Sequence, residues 1–203
     1  MHRHFVLAVL LLIAGGSAFA QDFPKFETAP AFMYIRIVPG SNSGLQDENC
    51  VGGGGTVAYN MTSWFGVAAD LGGCKVTGLP SGLSSKAFTY VFGPRFTYRS
   101  HSMFQPFFLV NFGGAYLSLS DDLGCGDARV RSQGITCQGT ASANAFAMTV
   151  GGGFDIKVSK RIAIRPVQAE YLYTRFGNNI FNNVNQNNFR LKSGIVISWG
   201  GGS

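Results

Sequence analysis

The sequence predicts an all-β fold: eight antiparallel strands that run up and down and close into a barrel spanning a membrane. Three observations predict it. Segments of two-residue alternation recur along the chain, and such a period puts alternate side chains on opposite faces of a strand. The connections between them alternate short and long. Aromatic and aliphatic residues keep to one face of each segment, while small, polar and charged residues keep to the other. In a transmembrane barrel the apolar face meets lipid and the mixed face lines the lumen.

Residues 1–20 precede the first segment. They carry a basic start (His2, Arg3, His4), an apolar run over 5–13, and Ala18-Phe19-Ala20 before Gln21. This is the pattern of a secretory signal peptide, and the run is far short of the ~20 residues a spanning helix needs. No Cys follows the cleavage site to carry a lipid anchor. The expected mature chain, 21–203, is a single barrel domain. Only 13% of residues are charged, while 28 are Gly and 18 are Phe, which fits an exported, helix-poor chain. The net charge is +6, or +5 once Arg3 is removed. No basic cluster interleaved with stacking aromatics appears, so nucleic acid is excluded as the partner. Anionic lipid headgroups are the expected counter-charge.

The first strand, 27–38, contains Ala31-Phe-Met-Tyr-Ile-Arg36 and is apolar on both faces; Phe32 and Tyr34 are assigned outward and Arg36 to the headgroup level. The second, 52–59, opens on Gly52–Gly55. No Lys-Ser/Thr follows these glycines, so they form no phosphate loop; they let the strand bend and pack closely. In the third, 65–73, Phe65, Val67, Ala69 and Leu71 oppose Gly66, Ala68, Asp70 and Gly72. The fourth, 86–99, sets Phe88, Tyr90, Phe92, Phe96 and Tyr98 against Thr89, Val91, Gly93, Arg95 and Arg99. The fifth, 104–118, blurs at Phe107-Phe108-Leu109, where a bulge would account for the lost alternation. In the sixth, 144–158, Phe146, Met148, Val150, Phe154 and Ile156 oppose Ala147, Thr149, Gly151, Asp155 and Lys157. The seventh, 162–176, carries Glu170. The eighth, 188–199, sets Phe189, Leu191, Ile195, Ile197 and Trp199 against Arg190, Lys192 and Gly194.

Connections 60–64, 100–103 and 159–161 are tight turns, and 39–51, 74–85, 119–143 and 177–187 are long and polar. Short periplasmic turns and long extracellular loops are how such barrels sit in the outer membrane. Arg36 and Arg175 then belong at the extracellular rim. Phe65, Phe96, Tyr98 and Trp199 belong in the periplasmic aromatic girdle.

With the strands in place, the chain resembles the OmpA-like, opacity-type eight-stranded outer-membrane barrels. The matching stretches are Phe92-Gly-Pro-Arg-Phe96, Gly151-Gly-Gly-Phe-Asp155, Ala169-Glu-Tyr-Leu-Tyr-Thr-Arg175 and the last strand. In that strand Lys192, Gly194, Ile197 and Trp199 have the spacing that the resemblance identifies as the signal read by the outer-membrane insertion machinery, although Gly200-Gly-Gly-Ser203 follows the aromatic. The resemblance implies a bacterial outer membrane, so the expected surroundings are outer-membrane lipid and lipopolysaccharide; the chain is read as a monomeric barrel with a structural or surface-interaction role and no catalysis.

The lumen-facing charges are Glu27, Asp70, Arg95, Asp155, Lys157, Glu170, Arg190 and Lys192. Asp155 and Glu170 have the composition of a catalytic acid and base. The competing and preferred reading is a salt-bridge network plugging the lumen, because buried charges need partners and eight-stranded interiors are filled by side chains. Arg95 is expected between Asp155 and Glu170. His101, the one His after residue 20, is read as a solvated turn residue, and the Asn60-Met-Thr62 sequon is assigned no meaning. No catalytic, metal or cofactor residues are therefore assigned. Two alternatives stay open: an enzyme acting on lipid A, marked by a lipid-facing catalytic pair, and a soluble lipocalin-like ligand-binding barrel, marked by an inward apolar cavity.

Cys50, Cys74, Cys125 and Cys137 have no metal-site spacing, and export favours disulfides. A hairpin centred on Thr62 opposes Tyr59 to Phe65 and, carried along, Cys50 to Cys74. Cys125 and Cys137 are then left to pair within the long loop.

Overall fold

A computed structural model of the chain describes residues 23–38, 47–79, 83–99, 103–121, 139–177 and 185–200. The signal peptide, His101, Cys125 and Cys137 lie outside these residues. Eight strands are present: β1 (Phe26–Ile37), β2 (Glu48–Asn60), β3 (Phe65–Thr77), β4 (Leu83–Thr97), β5 (Phe104–Asp121), β6 (Gly139–Lys157), β7 (Ile162–Phe176) and β8 (Asn185–Trp199). Each pairs antiparallel with the next, and β8 returns to β1, so the barrel is closed. Closure leaves no unpaired edge, which lipid would not tolerate.

The faces follow the alternation. Phe92 is 69% exposed on the outside and its neighbour Val91 is 2% exposed in the lumen. Phe32, Leu71, Phe112, Phe146, Phe189 and Ile195 join Phe92 on the outer wall. At the tight-turn end Trp64 stacks on Phe96, and Phe65 tilts against the same ring. This is half of an aromatic girdle.

Several strands run further than alternation alone indicates, mostly toward the long connections. There β3 reaches Thr77, β4 begins at Leu83, and β5 and β6 extend to Asp121 and Gly139. Above the membrane neither face need be apolar, so the two-residue pattern fades while the backbone ladder continues.

The fifth strand has no bulge. Its ladder with β4 keeps one register from Leu83↔Asp121 to Thr97↔Phe107. The pattern blurs because Phe107 and Leu109 are lumen residues, buried beside an outward Phe108. The irregularities lie in β7, between Arg165 and Gln168, and in β6, between Phe154 and Ile156.

The β2–β3 hairpin turns about Ser63 rather than Thr62. Asn60 opposes Gly66, Cys50 opposes Val76, and Gly52 opposes Cys74. Cys50 and Cys74 are nevertheless bridged, diagonally, with Cα atoms 5.5 Å apart. A two-residue offset preserves parity, so both sulfurs still meet inside the lumen. Gly52 is what makes room: a Cβ there would lie 2.5 Å from the Cys74 Cα. The bridge closes a separation of 24 residues. Replacing both cysteines by Ser is expected to cost about 3 kcal/mol in the chain-entropy account. Urea unfolding of the refolded protein in vesicles measures it, and an unchanged midpoint would show that the bridge contributes nothing.

Candidate functional site: a charged plug across the lumen

The lower half of the lumen is filled by ionised side chains that form one connected network. Arg95 lies between Glu27 (2.6 Å) and Asp155 (3.1 Å). Arg99 holds the other Glu27 oxygen at 2.6 Å. Asp155 also accepts from Arg165 Nε at 2.7 Å and Nη2 at 2.9 Å, a bidentate clasp. Arg165 donates to Gln168 Oε1 (2.9 Å), and Gln168 Nε2 donates to Glu170 (2.7 Å). Glu170 accepts from Arg190 Nε at 2.5 Å, and Arg190 reaches Asp70 at 3.1 Å. Asp70 completes the chain by accepting from Lys192 and from Thr56.

Among the described residues the plug sets four carboxylates (Glu27, Asp70, Asp155, Glu170) against five cations (Arg95, Arg99, Arg165, Arg190, Lys192). The near balance is what burial requires. Arg190 and Asp70 have no exposed surface, and an unpaired charge there would cost several kcal/mol. Phe107 lies between two guanidinium groups, 4.5 Å from Arg95 and 4.3 Å from Arg165. Its ring faces attract cations and its bulk fills space beside Gly153.

The network differs from the sequence expectation in its partners. Arg95 is held by Glu27 and Asp155, while Glu170 holds Arg190, which opposes it across β7–β8. Lys157 stands half-buried at the tight-turn mouth and takes no part in the network. Asn60, the sequon residue, is buried and donates to Glu27 and to the Pro24 carbonyl. Arg165 was hidden in the sequence: counting back from Glu170 by twos gives Gln168 and then Pro166, which leaves Arg165 outside. The irregularity at Pro166-Val167 reverses that parity. A proline within a strand is the signal that could have revealed it.

Above the plug the lumen changes character. Met33 lies against Gly72, with its sulfur 2.9 Å from where a Cβ would be. Beyond it, Ile35, Val76, Ala115, Leu172 and Phe176 line an apolar cavity of about 340 Å³ that opens toward the loops. The lumen is thus charged only in its lower half. The cavity is the feature that would mark a soluble ligand-binding barrel. Here the outer wall is apolar as well, and a soluble barrel would not leave rings such as Phe32 and Phe92 exposed around its circumference.

A closed antiparallel barrel, apolar outside and ion-paired within, defines an outer-membrane β-barrel. The chain belongs to the family described as outer membrane protein beta-barrel domain, whose model matches residues 5–194. Its location is the bacterial outer membrane, and its surroundings are outer-membrane lipid and lipopolysaccharide. Among solved structures, Neisserial surface protein A is 15% identical with a TM-score of 0.56, covering 86% of this chain and 97% of that one. Ail, the attachment invasion locus protein of Yersinia pestis, is 16% identical with a TM-score of 0.52, covering 85% and 99%. The same protein in complex with the heparin analogue sucrose octasulfate is 14% identical with a TM-score of 0.55, also covering 85% and 99%. At these identities the likeness is one of fold. No curated protein matches the chain by sequence.

Proposed function

We propose that the protein is a non-catalytic surface-interaction barrel: a rigid, plugged cylinder that carries its long connections outside the cell. The observation that carries this reading is the plug. Asp155 and Glu170, the pair with the composition of an acid and a base, are each bound by cations on other strands, which makes them structural anchors. The extension of β5 and β6 to Asp121 and Gly139, with β4 paired alongside from Leu83, supports the same reading, because it carries a stiff three-stranded sheet above the lipid. Residues 1–20 are removed as a signal peptide. Lys192, Gly194, Ile197 and Trp199 serve as the insertion signal, and the barrel acts as a monomer.

The test uses whole cells with two readouts. A Cys placed at Thr77, at the loop end, should react with a membrane-impermeant maleimide, and one placed at Ser159, in a tight turn, should not. The reverse pattern would invert the topology. Lipid A extracted from the same cells should keep its mass. Loss or gain of an acyl chain on expression would replace this reading with the lipid A-modifying enzyme.

A further inference from the structure

Outside the lumen, two lysines face each other, and no counter-charge lies beside them among the described residues. Lys75 on β3 directly opposes Lys86 on β4, and both are exposed on the outer wall. Like charges at opposed positions on a sheet repel. Their other cross-strand neighbours are Val51 and Ser118, and neither lysine has a carboxylate partner among the described residues. Every buried lumen acid is already engaged inside the barrel, the half-buried Glu48 lines the lumen cavity, and the exposed Asp47 is taken by Arg36.

Their height can be read from the strands. Phe65 and Phe96 are register partners in the lower girdle, and each lies ten residues from its strand's lysine. Ten residues at about 3.3 Å each, tilted by about 40°, climb roughly 25 Å. That is the height of the apolar band of such barrels, so the pair marks its upper edge. Directly beneath the lysines, Gly73 sits between Gly53 and Phe88, and Tyr116 follows on β5. The absence of a side chain at Gly73 leaves room for a groove of about 560 Å³ on the outer wall, flanked by Lys75, Lys86, Phe88 and Tyr116. This lies in the ~300–1,000 Å³ range of small-ligand sites.

We propose that Lys75, Lys86 and this groove form a binding site for a phosphorylated, acylated glycolipid of the outer leaflet, the lipid A part of lipopolysaccharide. A phosphate bridges the two ammonium groups and removes their repulsion. One acyl chain descends over Gly73, against the side of the Phe88 ring that faces β3. The inference rests on the orientation given above, in which the tight turns face the periplasm.

Native mass spectrometry of the refolded protein in detergent tests it, because binding there does not depend on which way the barrel faces. Titrated with bis-phosphorylated lipid A, the wild type should retain one molecule. The Lys75→Gln/Lys86→Gln variant should bind about 30-fold more weakly, since each lysine near anionic lipid contributes about a fivefold effect. Dephosphorylated lipid A should lose a similar factor on the wild type, Lys160→Gln in a tight turn should change nothing, and millimolar inorganic phosphate should not compete. Equal binding by the double variant overturns the site, and full displacement by inorganic phosphate reduces it to a simple anion site. If the double variant does not reach the heat-modifiable folded form, Lys86→Gln alone decides, with a fivefold loss expected and no loss overturning the proposal. The labelling at Thr77 and Ser159 tests the orientation separately.

Discussion

Arg190→Met is expected to destabilise the barrel by about 3–5 kcal/mol, the cost of removing one partner from a buried ion pair. Arg190 is the centre of the upper network. Its Nε is 2.5 Å from Glu170, and its Nη2 is 3.1 Å from Asp70. It is fully buried. Met fills much of the same volume, so packing loss is small and the effect is mainly electrostatic. Two carboxylates then remain in a low-dielectric lumen. Gln168 satisfies one oxygen of Glu170, and Lys192 and Thr56 hold the far oxygen of Asp70. The remaining oxygens lose their cation. Urea unfolding in lipid vesicles, followed by Trp fluorescence, gives the measurement. A loss below about 1 kcal/mol would mean that the network adds no stability beyond what exposed ion pairs contribute. Adding Glu170→Gln to the variant should recover part of the loss, because it removes one stranded charge.

How much of this was open to sequence reasoning depends on where parity holds. Along β3, β4, β6 and β8 it holds, so Asp70, Arg95, Asp155, Arg190 and Lys192 were placed inside from their spacing alone. The pairings were not, because alternation says which face a residue takes and nothing about its height relative to strands across the lumen. Arg95 therefore met Glu27 from the first strand rather than Glu170. Parity failed locally at Pro166, which concealed Arg165. In the β2–β3 hairpin the error was of another kind. A five-residue turn allows more than one centre, and moving it from Thr62 to Ser63 shifts every opposed pair by two. Cys50 and Cys74 still bridge because a diagonal pair on one face remains within disulfide reach. The apolar upper lumen was hidden because Met33 and Ile35 resemble their outward neighbours Phe32 and Tyr34 in hydropathy. Composition cannot separate two apolar faces.

Gly194→Val is expected to keep the purified chain from reaching its heat-modifiable folded form, and the reason is the seam. The barrel closes where β8 meets β1, and there Ala31 opposes Gly194. A Cβ on Gly194 would stand 2.1 Å from the Pro30 carbonyl oxygen and 2.9 Å from the Ala31 Cα. Both are backbone atoms, so no rotamer change relieves the contact. The seam has little to spare, since the β1–β8 register runs from Phe26↔Trp199 to Thr28↔Ile197 and resumes only at Ala31↔Gly194. Pro30 lies in the gap and lacks an N–H to donate. Overpacking of a tight site costs roughly 1–3 kcal/mol where side chains can yield, and here the backbone itself must part. Gly194 also belongs to the proposed insertion signal, and the two roles separate experimentally. Refolding from urea into detergent involves no insertion machinery. Gly194→Val should fail there as well as in cells, because closure is lost. Trp199→Ala should fold in detergent and accumulate less in the outer membrane, because its ring lies outside, 44% exposed, and fills no space that closure needs. Normal refolding of Gly194→Val would refute the steric account and leave recognition as the reason for glycine at this position.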